Sequence, residues 1–399
     1  MEDTPVILLL GPRQSGKSTL VMSIAEASEI PYRTLDDATI LSAAATDPVG
    51  FLRSLGNRAV IDEVQRVPEL LIAIKAAVDS DRRAGRYILT GSSNIMTLPR
   101  ISESLAGRME LHFLRPFSQG ELTETRDCFI DTIFEKIPEI GGENSRSSLV
   151  SRVLRGGFPE AVTREKEKRR EAWFNSYVST ILSRDVRDVA SIEGLSDVPR
   201  LLSLMASRCG SLVNFSELSN STAIPQSTLK RYMKILEILF LYQPLEAWSS
   251  NRGKRLIKSP KIHLVDTGLT AALAGVSESR VFKDNLVFGP LLESFVINEL
   301  RKQMSWAEQS CRLYHYRSSS GREVDAVLET TDGRIVGIEV KAAASVKSPD
   351  FRGLQSMKED AGDSFVHGII LYDGNMSVGF GDRLAAVPIS ALWEPCYSR

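Results

Sequence analysis

A run of five apolar residues, Val6–Leu10, breaks into Gly11-Pro12-Arg13-Gln14-Ser15-Gly16-Lys17-Ser18-Thr19, and a helical pattern follows through Ala27. The spacing G-x4-G-K-[ST] between an apolar strand and a helix calls for a loop whose backbone N–H groups turn inward, with the helix N-terminus behind them. Such a loop holds phosphate oxygens. Residues Gly11 to Thr19 are therefore expected to bind ATP, with Lys17 reaching the β- and γ-phosphates and Ser18 ligating Mg2+. ATP and Mg2+ are the expected ligands.

A second apolar run ends in acid: Ala59-Val-Ile-Asp62-Glu63. Asp62 suits a water-mediated Mg2+ contact and Glu63 the activation of a water for attack. Acid at both positions favours hydrolysis over switch-like binding. A third run, Tyr87-Ile-Leu-Thr90-Gly91-Ser92-Ser93-Asn94, ends in polar groups where a γ-phosphate sensor would sit, with Ser92 the first choice and Asn94 the second. An arginine finger is sought at Arg108, in Leu105-Ala-Gly-Arg108, or at Arg100. A fourth run, Leu111–Leu114, completes a set of continuous apolar segments interleaved with helical ones, which is the pattern of an α/β domain with a parallel sheet.

Bulk properties exclude little beyond the extremes. Lys and Arg number 49 and Asp and Glu 50, so any nucleic-acid signal must be local. No stretch reaches the ~20 apolar residues of a membrane span, and Val6–Leu10 is too short for a signal segment and lacks a basic flank. The four cysteines, Cys128, Cys209, Cys311 and Cys396, lie far apart without metal-ligand spacing. They are expected to be reduced thiols in a cytoplasmic protein without a membrane partner. The four histidines, His112, His263, His315 and His367, form no catalytic pattern, and Trp173 and Trp248 are expected as core anchors.

Gly11 to Ser18, Ile61-Asp-Glu-Val-Gln65 with Pro68, Leu89-Thr-Gly-Ser-Ser93 and Leu105 to Arg108 resemble predicted prokaryotic AAA-type ATPases that carry a C-terminal domain of unknown function with a nuclease-like core. Leu114-Arg-Pro-Phe-Ser118, Gly156-Gly-Phe-Pro159, Ser183-Arg-Asp-Val186, Asp266-Thr-Gly268 and Leu292-Glu-Ser294 extend the resemblance over nearly the whole chain. It implies a sheet with an additional strand and a catalytic glutamate, Glu63. It also places Arg184 in an Arg-Asp element that could contact nucleotide, a neighbouring subunit, or only a structural acid. An AAA-type homo-oligomeric ring is one option beside a dimer and a monomer.

Two further constellations lie downstream. Helix Leu291–Met304, strands near Arg312–Arg317, Glu323–Glu329 and Ile335–Lys341, helix Phe351–Asp360 and strand Phe365–Tyr372 are expected in that order, with turns at 321–322 and 332–333. Glu339 and Lys341 share one strand face, Val336, Ile338 and Val340 the other. Hairpin pairing would set Asp325 beside Glu339. With Glu293 on the preceding helix this is the D…ExK pattern of restriction-endonuclease-like enzymes: Glu293, Asp325 and Glu339 would hold a metal, and Lys341 would stabilise developing negative charge. An inert core that only docks DNA or protein is the alternative.

Between Gln226 and Lys261 stand eight basic residues (Lys230, Arg231, Lys234, Arg252, Lys254, Arg255, Lys258, Lys261) against two acids, Glu237 and Glu246. Ser227 is expected to cap a helix Thr228–Phe240 whose apolar stripe is Leu229, Tyr232, Met233, Leu236 and Phe240. A strand Tyr242–Trp248 and a wing tip at Asn251–Arg255 would complete a winged helix-turn-helix that meets DNA or another nucleic acid, or serves only as an ATPase lid. The expected division is 1–125 AAA-like ATPase, 126–210 helical, 211–262 winged helix and 263–399 restriction-endonuclease-like. The expected function is ATP hydrolysis coupled to DNA binding or cleavage. A signalling switch acting on protein partners is the rival reading.

Overall fold

Apolar runs with no polar alternation belong where a sheet is covered on both faces, and three of them lie there. In a computed structural model, which describes residues 2–92, 107–141, 145–189, 197–255 and 258–395, β1 (Val6–Leu10), β2 (Tyr32–Thr34), β3 (Ala59–Asp62), β4 (Tyr87–Gly91) and β5 (Met109–Phe113) form a parallel sheet in the order β2-β3-β4-β1-β5. Leu8, Leu10, Ile61 and Leu89 pack on one face with Leu70, Ile74 and Val78 of the helix Leu70–Ser80. Leu9, Val60 and Ile88 pack on the other with Val21 and Ala25 of the helix Lys17–Ala27. The period-two alternation of strand side chains makes this division.

Two differences from the sequence reading concern the edges. β2 has no apolar run to announce it. β5 runs Met109–Phe113 rather than Leu111–Leu114, and its Glu110, Leu111 and His112 are exposed because it closes the sheet order. Met1–Pro116 with Ile235–Leu241 make one compact unit, in which Phe240 meets Phe113 edge-on at 5.4 Å.

Phe117–Lys234 and Tyr242–Arg399 make the second unit. Helices fill its first half, among them Arg146–Arg155, Glu167–Val189 and Val198–Ser207. Of the residues expected as separate helical, winged-helix and nuclease-like domains, all but Ile235–Leu241 fall in this unit. Its sheet comprises β6 (Ala247–Trp248), β7 (Cys311–Arg317), β8 (Glu323–Thr330), β9 (Ile335–Lys341), β10 (Phe365–Tyr372), β11 (Val378–Gly379) and β12 (Leu384–Pro388), in the order β11-β12-β10-β9-β8-β7-β6. β7, β8 and β9 are antiparallel neighbours, and β10 returns parallel to β9. The helix Asn285–Gln303 sets Leu292, Val296 and Leu300 against Ala326, Leu328, Val336 and Ile338. The helix Arg352–Ala361 sets Leu354 and Met357 against Val324, Val327 and Ile335. The helix–three strands–helix–strand order is the one expected.

Gly337 lies under the second of these helices. A Cβ there would come within 2.8 Å of Leu354 Cδ2 and 2.9 Å of Met357 Sδ. Gly337→Val is expected to lower the unfolding free energy by about 1–3 kcal/mol, read as a shifted denaturant midpoint at unchanged slope.

Four local expectations are corrected. Ser227 is not a cap: the helix runs Gln226–Ile238, and the Pro225 carbonyl already accepts from Leu229 N–H at 3.0 Å. Arg252–Arg255 is a helical turn rather than a wing tip, and only Ala247–Trp248 of the expected strand Tyr242–Trp248 enters a sheet, pairing with β7. Cys128 is disulfide-bonded rather than a free thiol. Wide spacing in sequence places no bound on approach in space. Cys209 and Cys311 are free, and burial pushes both thiols up to about 12. Among the described residues no helix is long and apolar enough to cross a membrane.

Candidate functional site

The phosphate loop leaves β1 at its carboxyl end, and the Leu10 carbonyl accepts from Leu114 N–H at 2.8 Å. Two glycines shape the loop for different reasons. A Cβ on Gly11 would stand 2.1 Å from the Leu114 carbonyl oxygen. Gly16 adopts φ +98° as the cap of the helix that Lys17 begins, and a Cβ there would meet nothing within 4 Å. Lys17 is only 4% exposed, and its ammonium donates to the Gly11 carbonyl at 3.0 Å and the Pro12 carbonyl at 2.8 Å. Ser15 Oγ is buried without a hydrogen-bond partner, so the loop holds a polar atom that a ligand would satisfy.

Asp62 and Glu63 follow at the same edge of the sheet. Tyr32 on β2 donates to Asp62 Oδ2 at 2.7 Å, and the Thr90 hydroxyl donates to Asp62 Oδ1. Burial and the Asp62 carboxylate push the Tyr32 phenol up, so it stays a donor. Glu63 takes φ +60°, which turns the chain, and its N–H donates to Thr90 Oγ1 at 3.0 Å. Its Oε2 accepts from Ser92 Oγ at 3.1 Å and from the Gln65 amide. Ser92, expected near the γ-phosphate, thus sits on the Glu63 carboxylate. Asn94 and Arg100 lie outside the described residues.

Arg108 sits at the other end of the sheet. Its carbonyl accepts from Val6 N–H at 3.2 Å where β1 and β5 begin, and its guanidinium pairs with Asp79. A strand of this length puts it roughly 15 Å from the loop. The side chain of Arg184 lies outside the described residues.

In the second unit the helix Asn285–Gln303 supplies Glu293, β8 Asp325, and β9 Glu339 and Lys341. The β8–β9 register runs from Glu329↔Ile335 to Ala326↔Ile338, so Asp325 comes one step further along toward Glu339. Asp325 Oδ2 accepts from Val340 N–H at 3.0 Å, and Lys341 donates to Glu339 Oε1 at 2.8 Å. Lys261 joins them. Its ammonium lies 2.8 Å from Glu293 Oε1 and 3.0 Å from Asp325 Oδ1. Burial and the Asp325 charge push Glu293 and Glu339 each up to about 8. Burial alone would depress Lys261, but Asp325 and Glu293 hold it above the lysine range. Among the described residues no group of three or more His, Cys, Asp or Glu side chains is arranged to hold a metal ion.

The basic segment is divided. Ser227, Lys230, Arg231 and Lys234 are exposed along the helix Gln226–Ile238, opposite its buried stripe. Arg255 is instead held by Glu329 through two hydrogen bonds of 2.6 and 2.9 Å, against the rings of Trp248 and Tyr314.

The chain belongs to an AAA-type P-loop ATPase family. Residues 3–123 match an AAA domain, 146–280 a domain of unknown function (DUF8612) and 288–392 another (DUF4143). An uncharacterized protein of Mycobacterium tuberculosis is 30% identical over 394 residues, covering 97% of this chain and 81% of its own, and one of Mycobacterium bovis matches equally. An uncharacterized protein of Methanocaldococcus jannaschii is 21% identical, covering 97% of this chain and 87% of its own. The Thermotoga maritima RuvB Holliday junction branch migration motor aligns over 60% of this chain and 81% of its own, at 19% identity and TM-score 0.28.

Proposed function

We propose that this chain is a Mg2+-dependent ATP hydrolase whose turnover is coupled to DNA or another nucleic acid through its second unit. The observation that carries the hydrolase is Glu63 beside Asp62 at the carboxyl edge of the sheet that also ends in the phosphate loop, its carboxylate oriented by Ser92 and Gln65. The backbone N–H groups of residues 11–19 would cradle the phosphates. Lys17 would leave the Gly11 and Pro12 carbonyls for the β- and γ-phosphates. Ser18 and Asp62 would hold Mg2+, which supplies charge neutralisation to the phosphate oxygens when bound. Glu63 would take the proton of the attacking water, and Ser92 would link its position to the γ-phosphate. Arg108, ion-paired at the far end of its own sheet, suits only the nucleotide site of another copy in a homo-oligomer.

The nucleic-acid part rests on the exposed row Lys230, Arg231 and Lys234. Phosphate release is measured with and without duplex DNA, single-stranded DNA and RNA, beside Lys17→Ala. Stimulation by one of them is expected. Changing the three basic residues to Ala should cut the salt slope of binding by about 2–3. No ATPase activity, or no response to any nucleic acid, sinks the corresponding half. One observation favours the regulatory-switch reading with an inactive nuclease-like scaffold: the ammonium of Lys261 between Glu293 and Asp325.

A further inference from the structure

Lys261 is held by its backbone as well as its charge. Its N–H donates to the Leu245 carbonyl at 2.9 Å, its carbonyl accepts from Leu245 N–H at 3.1 Å, and Leu212 bridges it from the other side. The side chain is 3% exposed, and a third carboxylate, Glu323, lies 3.9 Å from the ammonium. Gly210 closes the far side of Glu293: a Cβ there would stand 2.8 Å from Glu293 Oε2. His263 is fully buried with Nε2 3.8 Å from Glu293 Oε1, and His315 is buried as well.

Oxygens at 2.8 and 3.0 Å from a common centre suit an ammonium. Mg2+ draws its oxygens to about 2.0–2.1 Å, and Ca2+ to about 2.3–2.6 Å. The donor set therefore does not fit the divalent metal that a nuclease-like core implies. We propose that Lys261 is the resident cation of this centre, standing between Glu293 and Asp325 where a metal would stand, and that it closes the centre to Mg2+ and Mn2+. This rests on the nuclease-like reading of the second unit. It assigns that unit to binding rather than to metal-dependent cleavage.

The test is Mn2+ titration of the full, nucleotide-free chain, followed by electron paramagnetic resonance. Wild type should show no site that Asp325→Asn removes. Lys261→Met, which keeps length and loses charge, should gain one site at least ~10-fold tighter than any wild-type binding, lost again in Lys261→Met with Asp325→Asn. A wild-type Mn2+ site abolished by Asp325→Asn overturns the inference, as does a folded Lys261→Met chain that gains none. Should Lys261→Met fail to fold, the wild-type and Asp325→Asn arms decide alone. Plasmid cleavage by wild type, lost in Asp325→Asn, would overturn this inference while upholding the nuclease-like reading. Failure of the nucleic-acid coupling is read separately, from ATPase stimulation.

Discussion

Glu63→Gln should bind ATP within about a factor of two of wild type and hydrolyse it roughly 10²–10⁴ times more slowly. The amide keeps the shape of the side chain, and its oxygen can still accept from Ser92, now 3.1 Å from Glu63 Oε2. The N–H to Thr90 Oγ1 bond belongs to the backbone and survives. What is lost is the proton acceptor proposed for the attacking water. Lys17→Ala separates cleanly from this. That change removes the donor proposed for the phosphates and should weaken nucleotide binding itself, whereas Glu63→Gln should trap the bound triphosphate. Equilibrium binding of a fluorescent ATP analogue, phosphate release and a thermal melt make the comparison. Hydrolysis by Glu63→Gln at the wild-type rate would remove Glu63 from the role of base and leave the P-loop as a binding site only.

Arg255→Ala is the second large effect, and it is an effect on stability. Arg255 and Glu329 are 12% and 14% exposed, joined by two hydrogen bonds and capped by aromatic rings. Removing the guanidinium takes the counter-ion from a nearly buried carboxylate on β8, which costs about 3–5 kcal/mol. The denaturant midpoint should fall accordingly, and Glu329→Gln in the same chain should restore part of it. Nucleic-acid binding per folded molecule should hardly change. If Arg255→Ala melts like wild type and instead loses DNA binding, the residue faces a partner and the ion pair is dispensable.

Both changes bear on how far the sequence could be read. The phosphate loop, Asp62 and Glu63 were legible because each sits at the end of a continuous apolar run, where strand burial and loop chemistry are encoded within a few residues. The β7–β8–β9 meander was legible too. The glycines at 321 and 333 take φ of +82° and +91° at its turns, and the alternation in β9 fixes which face Glu339 takes. The β2 edge escaped notice because Tyr-Arg-Thr carries no apolar signal, so Tyr32 and its bond to Asp62 escaped with it. Gln65 and Thr90 stood inside the motifs without an assigned task, since only the turn at Glu63 brings them to the acids.

The basic segment shows the limit most clearly. As sequence, Arg255 and Lys261 are two positive charges among eight. In the folded chain they are buried counter-ions, whose partners lie 74 residues away for Arg255 and 32 and 64 away for Lys261. Composition records a charge but not its neutralisation, because ion pairing depends on which distant strands and helices are packed together. By itself the sequence determined the strand–loop–helix that holds phosphate, the acid pair beside it and the order of elements in the second unit, all products of local periodicity and turn chemistry. Tertiary structure alone decided that Ser92 grips Glu63, that Arg108 stands away from its own loop, and that Lys261 fills the carboxylate centre. Those placements follow from packing between segments far apart in the chain.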